Sequence, residues 1–289
     1  MSTAFKSDAA GESWDLEIRP QAGWVNIRLD ELVGYRDLIL LFVKRDFVTF
    51  YKQTILGPLW YIIQPLANTL VFTIIFGNFA KLPTDGTPPM LFYMAGTVVW
   101  GYFATCLTGT SNTFVMNRNV FGKIYFPRLT VPISHVIVSL GQFVIQFIIF
   151  LGFLLYFILQ GADVKPTPLV FLLPLVLFQM AMLGLGCGIL ISSLTTKYRD
   201  LAFAMTFGVQ LWMYATPVVY PLTMVPEQYR FLAALNPMTA IVEIFRLAFL
   251  GTSGIEPIHI VTSACFTVSV FVVGVILFTR IEKTFMDTV

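Results

Sequence analysis

The sequence contains 289 residues, of which 57% are hydrophobic and only 12% are charged. Because soluble domains carry about 25% charged residues, this composition excludes a soluble protein with a large core and indicates an integral membrane protein. The formal net charge of +2 argues neither for nor against nucleic acid, and we expect no nucleic-acid partner.

Two segments of different character precede the first long apolar run. Residues 1–30 are polar and predict an irregular cytoplasmic lead-in. No apolar run of the kind found in a signal-peptide h-region precedes Trp60, so we expect no cleavable signal peptide. Residues 31–58 repeat apolar side chains at helical spacing beside a basic stripe, which predicts an amphipathic helix in the membrane interface. A soluble helix packed on another domain is the alternative.

Six apolar runs then satisfy the rule that about 20 apolar residues cross a bilayer, and none contains Asp, Glu, Lys or Arg. Their approximate bounds are 59–80, 90–113, 130–159, 169–194, 202–222 and 257–279. A shorter apolar stretch, 231–250, contains Glu243 and Arg246 and predicts a re-entrant or outer-surface segment rather than a seventh span. Asn236-Pro237 marks a helix boundary, so we expect two short outer helices between spans five and six.

The basic residues predict the orientation of these spans. With the N-terminus inside, 14 of the 18 Lys and Arg residues fall on the cytoplasmic side, in agreement with the positive-inside rule. We therefore expect an all-α integral membrane fold with both termini cytoplasmic. Residues 59–280 form the six-span transmembrane domain in this prediction, and residues 281–289 form a cytoplasmic tail.

The chain shows no signature of catalysis or of metal binding. Gly122-Lys123 is the nearest approach to a nucleotide-binding P-loop, but Asn117 stands where the upstream glycine is required, so we expect no ATP hydrolysis by this chain. The glycines of one span predict close helix packing: Gly184, Gly186 and Gly188. The cysteines and histidines do not have the spacing of metal ligands. We expect the thiols to be small apolar side chains, at Cys106, Cys187 and Cys265, and the imidazoles to be hydrogen-bonded structural groups, at His135 and His259.

Aromatic residues near the span ends have two interpretations. Trp60 fits the ordinary belt of aromatic residues at a membrane interface. Trp212 and Tyr214 fall in mid-span, where aromatic rings could stack on the apolar faces of sugars in a wide channel. Plain helix packing is the alternative for each of them. Glu243 and Arg246, three residues apart, form either a functional pair or a self-neutralising surface pair near the outer headgroups.

Five stretches of the sequence carry a family resemblance: 51–60 with Gln64-Pro65, 123–128, 198–200, 215–221 and 235–238. Together they resemble the permease subunits of type-2 ABC exporters, and more narrowly the polysaccharide-export group. The resemblance extends over about residues 20–280 and implies a homodimer with two copies of a separate ATPase subunit. This assembly would move a polymer on an undecaprenyl-diphosphate lipid across the bacterial inner membrane. These stretches do not separate export of O-antigen from export of capsule or teichoic acid.

The resemblance also implies roles for individual residues. A channel between protomers is lined largely by spans one and five, which makes Trp60, Trp212, Tyr214 and Tyr220 candidate substrate residues. The loop after span two gates the entrance and meets the lipid pyrophosphate, and its basic residues are Arg118, Lys123 and Arg128. Contact with the ATPase, which binds ATP and Mg, would involve Lys52, Lys197, Arg199 and Asp200. Glu243 and Arg246 fall in the outer gate. For the two loops, positive-inside charge without a partner is the alternative.

Two other classes of protein remain as alternatives. A secondary transporter or channel without an ATPase would carry charged residues at the membrane midplane or paired broken helices. An integral glycosyltransferase would need a cluster of carboxylates at the membrane surface, whereas Asp200 stands nearly alone in its loop.

Overall fold

The computed structural model describes residues 29–52, 57–121, 123, 126–195, 200–252 and 254–285, and these contain helices and no strand. Within them, five helical segments are long and apolar enough to cross a membrane, or six if a bent helix pair counts as one span. The predicted all-α membrane fold is therefore confirmed. The five segments are Trp60–Phe79, Pro89–Ser111, Thr130–Leu159, Pro168–Thr195 and Pro257–Ile281.

Two helices precede the first span. Helix α1 (Leu29–Gly34) and helix α2 (Arg36–Lys52) are separated at Tyr35. The α2 side chains of Ile39 and Phe42 are buried, whereas those of Leu40 and Leu41 are exposed. Helix α2 packs against the span Thr130–Leu159, so one of its faces belongs to the bundle and the other faces outward.

The first span leads into the central helix of the bundle. Helix α3 (Trp60–Phe72) continues as a π-helical segment, Thr73–Phe79. Helix α4 (Pro89–Ser111) begins with a proline at its first turn, where the absent N–H has no helical partner to lose. Most of α4 is buried, because it packs against α3 and against three later helices, Thr130–Leu159, Leu173–Thr195 and Pro237–Leu250.

Two one-turn helices and two long helices follow. They are α5 (Thr113–Met116), α6 (Arg118–Phe121), α7 (Thr130–Leu159) and α8 (Leu173–Thr195), and a 3₁₀ turn, Pro168–Leu172, leads into α8. Glycines let α8 approach its neighbours closely. A Cβ atom at Gly184 would lie 2.7 Å from Cys106 Cβ of α4, and one at Gly186 would lie 2.8 Å from the Cα atom of Phe271. The predicted packing role of these glycines is confirmed.

The fifth predicted span differs from what the structure shows. Helix α9 (Leu201–Ala215) has 15 residues and measures about 22 Å, which is shorter than the predicted run of 202–222. The cause is Pro217, which disfavours helical geometry at the residue before it: Thr216 is extended, with φ −100° and ψ 144°. Six complete spans are therefore obtained only by counting the bent pair that follows.

That bent pair lies between α9 and the last span. Helix α10 (Glu227–Leu235) and helix α11 (Pro237–Leu250) meet at an angle of 99°. The predicted boundary at Asn236-Pro237 is confirmed, and the Asn236 side chain caps α11 by accepting a bond from the Met238 N–H. The final helix is α12 (Pro257–Phe285), which packs on α8 and α11.

Candidate functional site

A cavity of about 800 Å³ opens between α3, α4, α7 and α9. Among the described residues that line it, none is Asp, Glu, Lys, Arg or His. The polar lining consists of carboxamides and hydroxyls: Gln64, Asn68, Gln142, Gln146, Gln210, Thr97, Thr105, Thr108 and Thr206. The aromatic lining is Trp60, Tyr61, Phe72, Trp100 and Tyr214.

Gln146 is the most buried amide of this lining, with 3% of the residue exposed. It lies opposite Gly101, where an added Cβ atom would come 3.4 Å from the Gln146 Oε1 atom. Within the described part of the chain, its side-chain amide has no hydrogen-bond partner, and sequence reasoning did not single it out. The available signal was its helical spacing from Gln142, since residues four apart share one face of a helix.

The aromatic lining divides into a fixed wall and an exposed rim. Trp100 is buried and makes edge-to-face contacts with Phe103 and Trp212, at centroid distances of 5.3 and 6.3 Å. Trp60 and Tyr214 are 46% and 44% exposed. Both line the cavity, and their role in transport stays a prediction.

Trp212 and Tyr220 do not line this cavity. The Trp212 Nε1–H donates to the Asn236 Oδ1 atom at 3.0 Å, and Asn236 Nδ2 donates to Thr216 Oγ1 at 2.8 Å. Trp212 thus links α9 to the cap of α11, in agreement with the packing alternative. Tyr220 lies half-buried against the main core. The channel roles of both residues stay predictions.

Glu243 and Arg246 form a buried pair, with 2% and 1% of each residue exposed. The surface-pair interpretation is therefore wrong. Their side chains lie 3.3 Å apart, and Arg246 also donates to the carbonyls of Pro217 at 2.6 Å and Val218 at 2.7 Å. Glu243 accepts a bond from the Gly254 N–H at 3.1 Å. The pair joins α11 to the turn after α9, and the Arg246 guanidinium stacks 3.7 Å from the centre of the Phe92 ring on α4.

The residues predicted at the opposite end of the bundle have different surroundings. Arg128 is buried with its guanidinium 5.6 Å from the centre of the Phe121 ring, whereas Lys123 and Asp200 are exposed. For Arg118 and Lys52 the structure describes the backbone but not the side chain. Lys197 and Arg199 lie outside the described residues altogether. No site that unites the seven is therefore described.

Two features at this end were not predicted. An aromatic cluster joins α2, the segment after α4 and α12; we call it the phenylalanine cluster, and it consists of Phe42, Phe114, Phe121, Phe126 and Phe278. In addition, Asp46 of α2 lies 3.6 Å from His135 Nδ1 of α7. The residues of the cluster, like Asp46 and His135, are far apart in the sequence, so no local pattern could reveal these contacts.

Among the described residues, no three His, Cys, Asp or Glu side chains are grouped to hold a metal ion.

Comparison of the sequence with those of known proteins identifies the family of this chain. Similar proteins include an O-antigen export system permease protein, RfbA, from Klebsiella pneumoniae, which is 26% identical over 91% of this chain and 99% of its own length. RfbA from Myxococcus xanthus is 27% identical over 76% of this chain and 82% of its own length. The polysialic acid transport protein KpsM of Escherichia coli is 23% identical over 84% and 93% of the two chains. The family model of the ABC-2 type transporter matches residues 37–250. The chain therefore belongs to the ABC-2 type transporter family.

Proposed function

We propose that this chain is the membrane permease subunit of an ATP-driven exporter, and that its cargo is a polysaccharide of the O-antigen kind. Membership of the ABC-2 type transporter family supports the first part. The similarity to O-antigen export permeases over most of the chain supports the second. The observation that carries the proposal is the uncharged cavity lined by amides, hydroxyls and aromatic rings.

Such a lining suits carbohydrate. Sugar hydroxyls both donate and accept hydrogen bonds, as carboxamides do, and the apolar faces of sugar rings pack on aromatic side chains. A transporter coupled to protons or sodium ions uses ionisable groups within the membrane. The described residues around this cavity include none, which favours an exporter driven by a separate ATPase over a secondary transporter.

The assembly that we propose is a homodimer of this chain with two ATPase subunits in a bacterial inner membrane. ATP and Mg are bound by the ATPase, and this chain holds no cofactor. The span Trp60–Phe79 supports a second copy, because only 6% of its most apolar part is buried in the single chain, the lowest share among the five candidate spans. The distribution of Lys and Arg supports cytoplasmic termini.

We further propose that the polymer travels on an undecaprenyl-diphosphate lipid. The basic loop after α4 supports this step, because Lys and Arg side chains bind anionic phosphate groups near a membrane surface. Lys123 is exposed there. The similarity to a polysialic acid transport protein makes capsule polymer the second candidate cargo, and teichoic acid is a third.

Co-purification from the native membrane tests the proposal. We expect a stoichiometric soluble subunit that carries a P-loop, and we expect ATP hydrolysis by the complex to rise when the lipid-linked polysaccharide is added. Deletion of the gene for this chain should also remove the polysaccharide from the cell surface. A chain that purifies alone and moves solute without ATP would instead be a secondary transporter or channel.

A further inference from the structure

We propose that the cavity selects an uncharged stretch of glycan, and that Gln146 is the side chain that hydrogen-bonds the sugar hydroxyls inside it. This inference rests on the proposed function, since it assigns a substrate class to the same cavity. It goes beyond that function because polysaccharide exporters of this family include a transport protein named for polysialic acid, which is an acidic polymer.

The first argument is the charge of the lining. An ionised carboxylate that leaves water is destabilised unless a cation or several hydrogen-bond donors replace its hydration. The described lining residues include no Lys, Arg or His, so only uncharged donors such as carboxamides, indoles and phenols could replace that hydration, and no positive charge would balance the carboxylate. Two described arginines are already paired within the chain: Arg246 binds Glu243 and two carbonyls, and Arg45 binds Asp46 at 2.7 Å.

The second argument is the amide of Gln146, which borders the cavity. Only 3% of the residue is exposed, and the described residues provide no hydrogen-bond partner for its amide. The amide is therefore available to a molecule in the cavity. A carboxamide presents donors and an acceptor together, which matches a hydroxyl group better than it matches an ion. The absence of a side chain at Gly101 leaves room beside the Gln146 Oε1 atom.

The third argument is that the neighbouring hydroxyls are acceptors. Thr105 and Thr108 donate their hydroxyl protons to the carbonyls of Gly101 and Ala104, at 2.8 and 2.7 Å. Their oxygens therefore remain able to accept a bond but not to donate one. Acceptors of this kind bind sugar hydroxyls and repel carboxylates, so they add to the preference for an uncharged glycan.

The test compares two probes of equal length on the purified full chain in lipid nanodiscs. Maltohexaose is the neutral probe and hexagalacturonate is the acidic probe, and calorimetry gives the dissociation constant of each. We expect the neutral probe to bind at least about tenfold more tightly, since a site without cations rejects buried carboxylates. Gln146→Leu should weaken maltohexaose binding about tenfold, because it removes hydrogen bonds that a buried site makes to hydroxyls.

Gln160→Leu is the matched control, because Gln160 ends the same helix but is exposed; it should leave both constants unchanged. Equal or tighter binding of hexagalacturonate, or no binding of either probe, would overturn the inference. The comparison of the two probes needs no variant, so it decides the matter even if Gln146→Leu fails to fold. Unchanged binding by a folded Gln146→Leu would remove the role of that residue.

The gene deletion, together with the binding measurements, separates this inference from the proposed function. If deletion of the gene removes the surface polysaccharide while the probes show no charge preference, the inference fails and the exporter stands. If deletion leaves the surface polysaccharide unchanged, the proposed function fails and the inference falls with it.

Discussion

At the scale of single residues, Arg246 shows how a charge is kept deep inside an apolar bundle. The helical break at Pro217 leaves the carbonyls of Pro217 and Val218 without helical N–H partners, and a buried carbonyl without a partner is unfavourable. Arg246 donates to both of them, and its positive charge is balanced by Glu243. Gly96 makes space for this arrangement, because a Cβ atom there would lie 2.7 Å from the Val218 oxygen.

Replacing Arg246 by Lys should lower stability although the positive charge is kept. A lysine ammonium lacks the planar fork that reaches two carbonyls and a carboxylate at once, so at least one buried acceptor loses its partner. We expect a loss of about 2–4 kcal/mol, measured as a lower midpoint of thermal unfolding in detergent. Arg230→Lys is the control, since the pair of Arg230 with Glu227 is exposed and such pairs contribute below about 1 kcal/mol. Equal shifts for the two variants would contradict this account.

The sequence predicts the chemistry of such residues better than their partners. The spacing of Glu243 and Arg246 indicated a pair, but burial depends on the carbonyls of a turn nearly thirty residues earlier. Trp212 was a candidate channel residue because it falls in mid-span. What fixes its ring is Asn236, which is 24 positions away. Contacts over such separations leave no local pattern, so side-chain orientation could not be predicted.

At the scale of elements, glycines determine how closely α8 packs. A Cβ atom at Gly188 would overlap the Thr110 hydroxyl and lie 2.9 Å from the Leu107 carbonyl oxygen, both on α4. On the face toward α12, a Cβ atom at Gly274 would lie 2.6 Å from the Gly186 oxygen. Small residues let helix backbones approach in this way where lipid provides little driving force for association.

Gly188→Ala is therefore expected to destabilise the bundle, by about 1–3 kcal/mol, because the methyl group forces α4 and α8 apart. Gly152→Ala on α7 is the matched control, since nothing lies within 4 Å of a Cβ atom there; in a helix, alanine is favoured over glycine by about 1 kcal/mol. The measurement is the fraction of folded protein after heating in detergent. A Gly188→Ala protein as stable as the Gly152→Ala protein would show that the two helices are not held at this distance.

Element bounds follow from the sequence where apolar runs have clear ends. The run 130–159 was predicted with the bounds that α7 has, because polar and proline-containing segments flank it. The run 202–222 was too long, since apolar character continues past Pro217 while the helix ends at Ala215. Composition reports solubility in lipid, whereas the end of a helix depends on backbone geometry.

At the scale of the whole molecule, α4 connects three regions: the Arg246 pair, the cavity and the phenylalanine cluster. Phe92 near its start supports Arg246, and Trp100, Thr105 and Thr108 line the cavity farther along the helix. Thr110 near its end packs against α8, and the segment that follows contributes to the phenylalanine cluster. One continuous helix, α4, therefore contacts both the cavity and the Arg246 pair and leads into the loop that follows it.

The basic residues of that loop should separate into two classes when their charge is reversed. Lys123 is exposed, so Lys123→Glu is expected to leave folding intact and to lower export about fivefold, if its contact with anionic phosphate is worth about 1 kcal/mol. Arg128 is buried above Phe121, so Arg128→Glu would bury a negative charge against an aromatic face and should reduce the amount of protein in the membrane.

Lys81→Glu is the control for surface charge alone, because Lys81 is exposed in the loop between α3 and α4, at the other end of the bundle. Export per unit of membrane protein is the measurement, with the amount of each variant determined by immunoblotting. The two classes differ because export by Lys123→Glu falls at constant protein level, whereas export by Arg128→Glu falls with its protein level. Normal export by Lys123→Glu would mean that this lysine contributes only to membrane orientation, and the phosphate-binding step would then have to be assigned to other basic residues of the loop.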